Sequence, residues 1–120
     1  MIMNAVIDRP SWLKKKLVVN AALADTRKIL SDERIHTVCE SSICPNQNEC
    51  FSKSQATFLL LGDICTRSCA FCASEKGVPE PVRLDEPQRI ADAVERLGIR
   101  YAVITSVTRD DLDDGGSWQL

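Results

Sequence analysis

The chain has 120 residues, 44% of them hydrophobic, and its 15 Lys and Arg against 17 Asp and Glu give a net charge of −2. This length suits one small domain, and the apolar fraction is sufficient for a hydrophobic core. A nearly neutral chain lacks the basic face of a general nucleic-acid binder, so we expect no nucleic-acid partner.

Neither a membrane span nor a targeting signal is evident in the sequence. The longest apolar run, FLLL at Phe58–Leu61, has the length of a strand, so we expect no membrane partner. The stretch MIMNAVIDRPSWLKKK lacks the basic-then-apolar order of a secretory signal. We therefore expect a cytoplasmic protein, in which clustered cysteines bind metal more often than they form disulfides.

The first predicted elements are a helix, a loop and a strand. Residues 20–34 combine helix-forming residues with apolar side chains and predict an amphipathic helix. The polar stretch Thr37–Ser54 has little periodicity and predicts an irregular loop, whose order depends on what it binds. The run ATFLLLGD, Ala56–Asp63, fits a strand that is buried on both faces of a parallel sheet and ended by Gly62.

A second helix and strand follow a proline-rich loop, GVPEPVRLDEP. The segment EPQRIADAVERLG predicts a helix with Pro87 early and Gly98 as its stop. Its predicted apolar stripe consists of Ile90, Ala91, Val94 and Leu97. YAVITSV, Tyr101–Val107, predicts a second buried strand, so the order strand, helix, strand predicts a parallel βαβ unit.

These elements predict an α/β fold that contains the first βαβ unit of a parallel barrel. One helix and two parallel strands leave both strands short of neighbours, and a closed barrel needs on the order of 200 residues or more. We therefore expect an N-terminal extension, residues 1–55, followed by the start of an incomplete barrel, residues 56–120.

Two separate triplets contain all six cysteines of the chain. The second triplet follows the first predicted strand with the spacing Cys65-x3-Cys69-x2-Cys72. Three thiolates on a tight loop can ligate three irons of a 4Fe–4S cluster and leave the fourth iron open. A structural zinc site would need a fourth nearby Cys or His, and a ferredoxin-type run would have regular two-residue spacing and a final Cys-Pro. The loop has neither.

The first triplet has the spacing Cys39-x4-Cys44-x5-Cys50 and also lacks an evident fourth ligand. His36 is the only histidine in the chain. A zinc site of three cysteines and His36 is an alternative, but the spacing HTVC is tight for it. We expect His36 to be packed or hydrogen-bonded near the loop.

The second triplet, with Phe71 just before its last cysteine, resembles the radical S-adenosylmethionine (SAM) superfamily. The two triplets together closely resemble lipoyl synthase, and the resemblance extends over residues 10–116. It rests on four stretches in the same order, PSWLKKKL, HTVCESSICPNQNECF, ATFLLLGDICTRSCAFC and YAVITSVTRDDLDDGG. It implies a partial (β/α)6 barrel similar to a TIM barrel. Family members continue to an Arg-Ser-Ser-Tyr motif whose serine ligates the auxiliary cluster, and no stretch of this sequence matches that motif.

The resemblance implies two 4Fe–4S clusters and S-adenosyl-L-methionine as cofactors. It assigns the SAM-binding cluster to Cys65, Cys69 and Cys72, and the auxiliary cluster to Cys39, Cys44 and Cys50. In the family, the SAM-binding cluster donates one electron to the sulfonium of SAM, and a 5′-deoxyadenosyl radical results. The auxiliary cluster is consumed as the sulfur donor. The implied reaction inserts two sulfurs at carbons 6 and 8 of a protein-bound octanoyl-lysine, which becomes lipoyl-lysine.

The resemblance also implies protein partners. The substrates would be octanoylated lipoyl carrier domains of 2-oxoacid dehydrogenases and the glycine cleavage H protein, and the electron donor would be of the ferredoxin or flavodoxin type. We expect the 120-residue chain alone to be inactive, since it lacks most barrel strands and the auxiliary serine.

Several other residues each have two interpretations. Phe71 contacts SAM or packs in the core, and Arg67 contacts SAM or is solvated. Thr105 and Ser106 end the second strand, where parallel α/β folds bind ligands, and the resemblance favours SAM contact over simple strand termination. The charged residues 109–111 match a family motif but are expected to be solvated. DDGG, residues 113–116, is expected to form a turn and not a phosphate-binding loop.

Two alternative functions remain open from the sequence. One is a small non-enzymatic protein that binds an iron–sulfur cluster or zinc. The other is a radical SAM enzyme with a different substrate, against which the stretch HTVCESSICPNQNEC argues.

Overall fold

The computed structural model describes residues 9–120. Residues 1–8, the first half of the stretch MIMNAVIDRPSWLKKK that lacks the order of a secretory signal, lie outside the described residues. Helices and strands follow in the order α1 (Ala21–Asp32), β1 (His36–Thr37), α2 (Val38–Ser41), α3 (Gln47–Ser52), β2 (Thr57–Leu60), β3 (Ile64–Cys65), β4 (Glu75–Lys76), α4 (Glu86–Leu97) and β5 (Val103–Ser106). Short 3-10 helices lie at Ser11–Leu13 and Ser117–Gln119. The fold is therefore mixed α/β, as predicted, while the barrel stays a prediction.

The main sheet has three strands in the order β1-β2-β5, with β2 in the centre. β2 and β5 are parallel, with Thr57 opposite Val103 and Leu60 opposite Ser106. Since α4 lies between them in the chain, the predicted parallel βαβ unit is confirmed. β1 pairs antiparallel with β2 and was not predicted, because two residues carry no detectable alternation.

The two parallel strands differ in burial. β2 is buried as predicted, with Phe58 fully buried and Leu59 and Leu60 almost so. The prediction of a second buried strand is wrong for β5, in which Val103 is 44% and Ile104 47% exposed. Within residues 9–120, β5 is an edge strand, because it pairs only with β2.

Helix α4 begins and ends where its sequence predicts. Gly98 follows it with φ +63°, the left-handed conformation that commonly ends a helix. The buried face includes Ile90 and Ala93, whereas Ala91 is exposed. The predicted stripe is therefore wrong at Ala91, since the helix turns Ala93 and not Ala91 toward the sheet.

The stretch Thr37–Ser54 is not the irregular loop that its sequence predicted, because it contains α2 and α3. The hydroxyl of Thr37 accepts a hydrogen bond from the Glu40 N–H at 3.3 Å and caps α2. The buried Thr26 hydroxyl of α1 donates to the Phe51 carbonyl of α3 at 3.0 Å. Helices this short show no clear periodicity, and caps and tertiary contacts stabilise them.

The hydrophobic core lies between the sheet and helices α1, α3 and α4. It consists of Leu23, Leu30, Ile35, Phe51, Phe58, Leu59, Leu60, Leu61, Ile90, Ala93 and Val107. None of the helices in residues 9–120 is both long enough and apolar enough to cross a membrane.

Candidate iron–sulfur and SAM site

The second cysteine triplet lies on a loop that starts where β2 ends. The chain leaves the strand through Leu61 and Gly62, whose φ angles are +69° and +83°. β3 then pairs in parallel with β4, and the Gly77 N–H donates to the Cys65 carbonyl at 3.2 Å. These contacts close the loop at its base and place its three cysteines on one short closed segment.

The thiols of this loop have the chemistry of iron ligands. The Arg67 backbone N–H, as a hydrogen-bond donor, lowers the pKa of the Cys65 thiol. Hydrogen bonding from Ser74, chiefly from its side chain, lowers the pKa of the Cys72 thiol. Lys76 Nζ donates to the Cys69 carbonyl at 2.9 Å and places a positive charge beside the loop. Because thiolates are the form that ligates metal, these donors favour metal ligation by the loop.

The loop is attached to the segment that follows β5. The Thr66 N–H donates to the Thr108 carbonyl at 3.1 Å. The Arg67 guanidinium forms two hydrogen bonds of 3.1 Å with the Asp110 carboxylate, so Arg67 is ion-paired and not merely solvated. The hydrogen bond from Arg67 is also the main reason why the pKa of Asp110 is lowered. The cysteine loop and the carboxyl end of β5 therefore form one connected region.

The prediction that residues 109–111 are solvated is wrong for Arg109, whose side chain is only 2% exposed. Its guanidinium donates to the Leu61 carbonyl at 3.0 Å and to the Glu80 carbonyl at 3.1 Å. It also forms hydrogen bonds of 2.9 and 2.8 Å with the Asp111 carboxylate, which raise the pKa of Arg109. The match of residues 109–111 to a family motif was a sequence signal at this position, but it did not indicate that Arg109 is buried.

The first triplet lies at the other end of the parallel pair. Cys39 belongs to α2 and Cys50 to α3, and the Cys44 N–H donates to the Cys39 carbonyl at 3.1 Å. Cys39 and Cys50 line one cleft together with Thr57 and Val103, the first residues of β2 and β5. The first triplet is thus near the amino ends of these strands, and the second follows the carboxyl end of β2.

All six cysteines are free thiols. In residues 9–120, no three or more His, Cys, Asp or Glu side chains have the arrangement of a metal site. The ligand sets assigned to the two triplets therefore stay predictions. Their support is the donor chemistry, with three thiols on each local segment.

The remaining predicted residues differ in their surroundings. Phe71 is 94% exposed, so the core-packing alternative for it is wrong. Thr105 and Ser106 are the last residues of β5, and Ser106 lines a cleft with Asp110. His36 Nδ1 lies 3.5 Å from an Asp63 carboxylate oxygen, in line with a polar contact near the loop. SAM contact by Phe71, Thr105 and Ser106 stays a prediction.

DDGG forms a turn, as the sequence predicted. The Asp114 carboxylate accepts hydrogen bonds from the Gly116 and Trp118 N–H groups, each at 2.9 Å. These bonds use the carboxylate to stabilise the turn and the 3-10 helix that follows it.

The chain is similar over most of its length to several lipoyl synthases. The chain is 51% identical to a lipoyl synthase of Caldicellulosiruptor saccharolyticus over 109 residues, which are 91% of this chain and 38% of that protein. It is 53% identical over 110 residues to the lipoyl synthase of Chlorobium chlorochromatii, and 47% identical over 112 residues to that of Halalkalibacterium halodurans. The Chlorobium match covers 91% of this chain and 38% of that relative. The Halalkalibacterium match covers 92% of this chain and 37% of that relative. No family model matches the chain.

Proposed function

Since this chain belongs to the lipoyl synthase family and matches the N-terminal portion of its members, we propose that it carries the cluster-binding part of a radical SAM sulfurtransferase. The chain spans about 38% of the length of the curated relatives. The reaction proposed for the whole enzyme inserts two sulfurs at carbons 6 and 8 of a protein-bound octanoyl-lysine and yields lipoyl-lysine.

The proposal gives each triplet its own role. The SAM-binding 4Fe–4S cluster is held by Cys65, Cys69 and Cys72, and the auxiliary 4Fe–4S cluster by Cys39, Cys44 and Cys50. When bound, these groups supply an electron for SAM cleavage and sulfur for insertion. Residues 1–55 form the extension with the auxiliary loop, and residues 56–120 form the first part of a radical SAM barrel.

Three further residues complete the proposed SAM site. Thr105 and Ser106 stand at the carboxyl end of β5, the edge where parallel α/β folds bind ligands. The exposed ring of Phe71 lies inside the cysteine loop and offers an apolar surface to the cofactor. We assign binding to these residues, and no proton transfer.

The proposed partners are those of the family. The substrates are octanoylated lipoyl carrier domains of 2-oxoacid dehydrogenases and the glycine cleavage H protein. The electron donor is a protein of the ferredoxin or flavodoxin type, and the location is the cytoplasm, where free thiols persist.

One observation carries the proposal beyond sequence similarity. The Cys65–Cys72 loop starts at the carboxyl end of β2 and is attached, through Thr66 and Arg67, to the segment that follows β5. It therefore sits at the edge of the sheet where a cofactor would bind, and hydrogen bonding favours the thiolate form of two of its cysteines.

The test is anaerobic reconstitution of the 120-residue chain with iron and sulfide. We expect about eight irons and about eight sulfides per chain, the content of two 4Fe–4S clusters. Replacing either triplet by alanines should remove about half of the iron and about half of the sulfide. Replacing all six cysteines should remove all of the iron and sulfide. Zinc bound without sulfide would overturn the proposal and favour the alternative, a small non-enzymatic metal-binding protein.

We also propose that the 120-residue chain alone does not form lipoyl groups. Within residues 9–120, β5 has no strand beside it at the edge of the sheet, and its Val103 and Ile104 side chains are exposed. The reconstituted chain, SAM, a reductant and an octanoyl-lysine carrier domain are incubated without oxygen, and the carrier is examined by mass spectrometry. A mass increase for two inserted sulfurs would contradict this part of the proposal, and a thiolated product from another substrate would favour a different radical SAM enzyme.

A further inference from the structure

One group of side chains ties the second cysteine triplet to the segment after β5. We call this group, Thr66, Arg67, Thr108 and Asp110, the Asp110 clamp. Two of its members lie between Cys65 and Cys69 in the sequence, and the other two follow β5. The clamp thus joins two regions that are more than 40 residues apart in the chain, since its bonds span 42 to 44 residues.

The Asp110 carboxylate is the centre of the clamp. One of its oxygens accepts from the Thr66 hydroxyl at 2.8 Å and from Arg67 Nε at 3.1 Å. Its other oxygen accepts from Arg67 Nη2 at 3.1 Å, which makes the contact with the guanidinium bidentate. The Asp110 N–H donates to the Thr66 hydroxyl at 3.1 Å. A bidentate pair defines orientation better than a single ion contact does.

Exposure indicates what the clamp does. The Arg67 side chain is 63% exposed and that of Asp110 49% exposed. Ion pairs as exposed as this one contribute little to global stability. Such a pair can nevertheless define geometry. Because Thr66 directly follows Cys65, the clamp restricts the orientation of the cysteine loop relative to β5.

We propose that Asp110 is a positioning residue that holds the Cys65–Cys72 loop in one orientation toward the end of β5, where Thr105 and Ser106 form the proposed SAM edge. This inference rests on the proposed function. Asp110 acts through Thr66 and Arg67 and touches neither the cysteine sulfurs nor a reacting atom. Without the clamp, the loop keeps its three thiols but loses its fixed relation to the cofactor edge.

Three variants and a control isolate the clamp. Asp110→Asn keeps one acceptor oxygen but loses the charge and the bidentate contact, and Arg67→Gln removes the contact from the other side. The double variant shows whether both changes act through one interaction. Asp113→Asn is the matched control, since it makes the same charge change three residues away, and Asp113 has no side-chain hydrogen bond or ion pair among residues 9–120.

The first measurement is hydrogen–deuterium exchange of the chain without metal. We expect the amides of residues 66–72 to exchange about fivefold faster in Asp110→Asn and in Arg67→Gln, and no faster again in the double variant. The amides of α1 should not change in any variant. The inference would be overturned if the amides of residues 66–72 exchanged at the same rate in Asp110→Asn as in Asp113→Asn. It would also be overturned if exchange in Asp110→Asn rose equally in α1. If Asp110→Asn does not fold, Arg67→Gln decides the question by the same criteria.

The second measurement is the electron paramagnetic resonance spectrum of the reduced, reconstituted chain during titration with SAM. We expect Asp110→Asn and Arg67→Gln to bind as much iron and sulfide as the unchanged chain, but to need about tenfold more SAM for the same spectral change. An unchanged SAM dependence would overturn the inference. If the unchanged chain assembles no cluster, the proposed function fails, and the exchange measurement alone decides the clamp.

Discussion

The Glu86 carboxylate of α4 accepts a hydrogen bond from the Leu61 N–H at 2.8 Å, at the point where β2 ends. Its second oxygen accepts from the Gly62 N–H at 3.3 Å. The Leu61 carbonyl accepts from the guanidinium of Arg109, so a buried carboxylate and a buried guanidinium both bind the backbone of Leu61. The start of the cysteine loop is therefore defined by residues far away in the sequence.

Replacing Glu86 by Gln should destabilise the chain by about 1–3 kcal/mol. Glutamine keeps one acceptor oxygen, but its amide group cannot accept the second backbone N–H, and the negative charge near Arg109 is lost. Urea unfolding followed by circular dichroism measures the change. Glu95→Gln, an exposed position on the same helix, is the control, and equal stability of the two variants would contradict this role for Glu86.

Gly116 should tolerate alanine less well than its neighbour Gly115. Both glycines have positive φ angles, +87° and +64°, and so share the cost of a left-handed conformation. Only at Gly116 would the new Cβ clash with a Leu61 methyl group, whereas the space at Gly115 is open. We expect Gly116→Ala to cost about 1–3 kcal/mol more than Gly115→Ala in urea unfolding, because the buried Leu61 must move. An equal cost would show that backbone conformation alone matters.

The hydroxyl of Thr26 should be needed to hold α3, which carries Cys50, against α1. Thr26→Val keeps the shape but leaves the Phe51 carbonyl without its buried donor, at a cost of about 1–3 kcal/mol. Thr26→Ser keeps the donor and is the matched variant. If thermal unfolding shows that serine loses as much stability as valine, the methyl group and not the hydrogen bond is the important part.

Asp114 should contribute to stability in a pH-dependent way. The Trp118 and Gly116 N–H groups donate to its carboxylate and lower the pKa of Asp114. A lowered folded-state pKa gives stability that is fully present above the unfolded-state pKa, near 4, and is lost as pH falls through the folded value. The stability difference between the unchanged chain and Asp114→Asn should therefore narrow below about pH 4.

Carbon-13 nuclear magnetic resonance checks this prediction directly. The carboxyl carbon of Asp114 is titrated in the folded chain and again in urea, where the turn is absent. We expect the lower midpoint in the folded chain. Equal midpoints would mean that the two N–H donors do not favour the charged carboxylate.

Local patterns predicted the longer elements well. The apolar spacing and Gly98 predicted α4, and the continuous run in Ala56–Asp63 predicted the buried strand β2. The sequence did not predict α2 and α3, since each has at most six residues and depends on contacts such as that between Thr26 and Phe51. The sequence also predicted that β5 is buried, whereas the strand is largely exposed. An apolar run indicates that a strand is suited to burial, but it does not indicate how many other strands or helices pack against it.

The amino-acid sequence shows the two cysteine triplets, their spacing, and the strand–helix–strand order that places one triplet after a parallel strand. These features depend on residues close together in the chain, so they are visible without a structure. In contrast, the burial of Arg109 and the contact of Asp110 with the cysteine loop become evident only in the folded chain. The Arg109 partners Leu61 and Glu80 lie 48 and 29 residues away, and a charge is stable in the interior only where folding brings such partners to it.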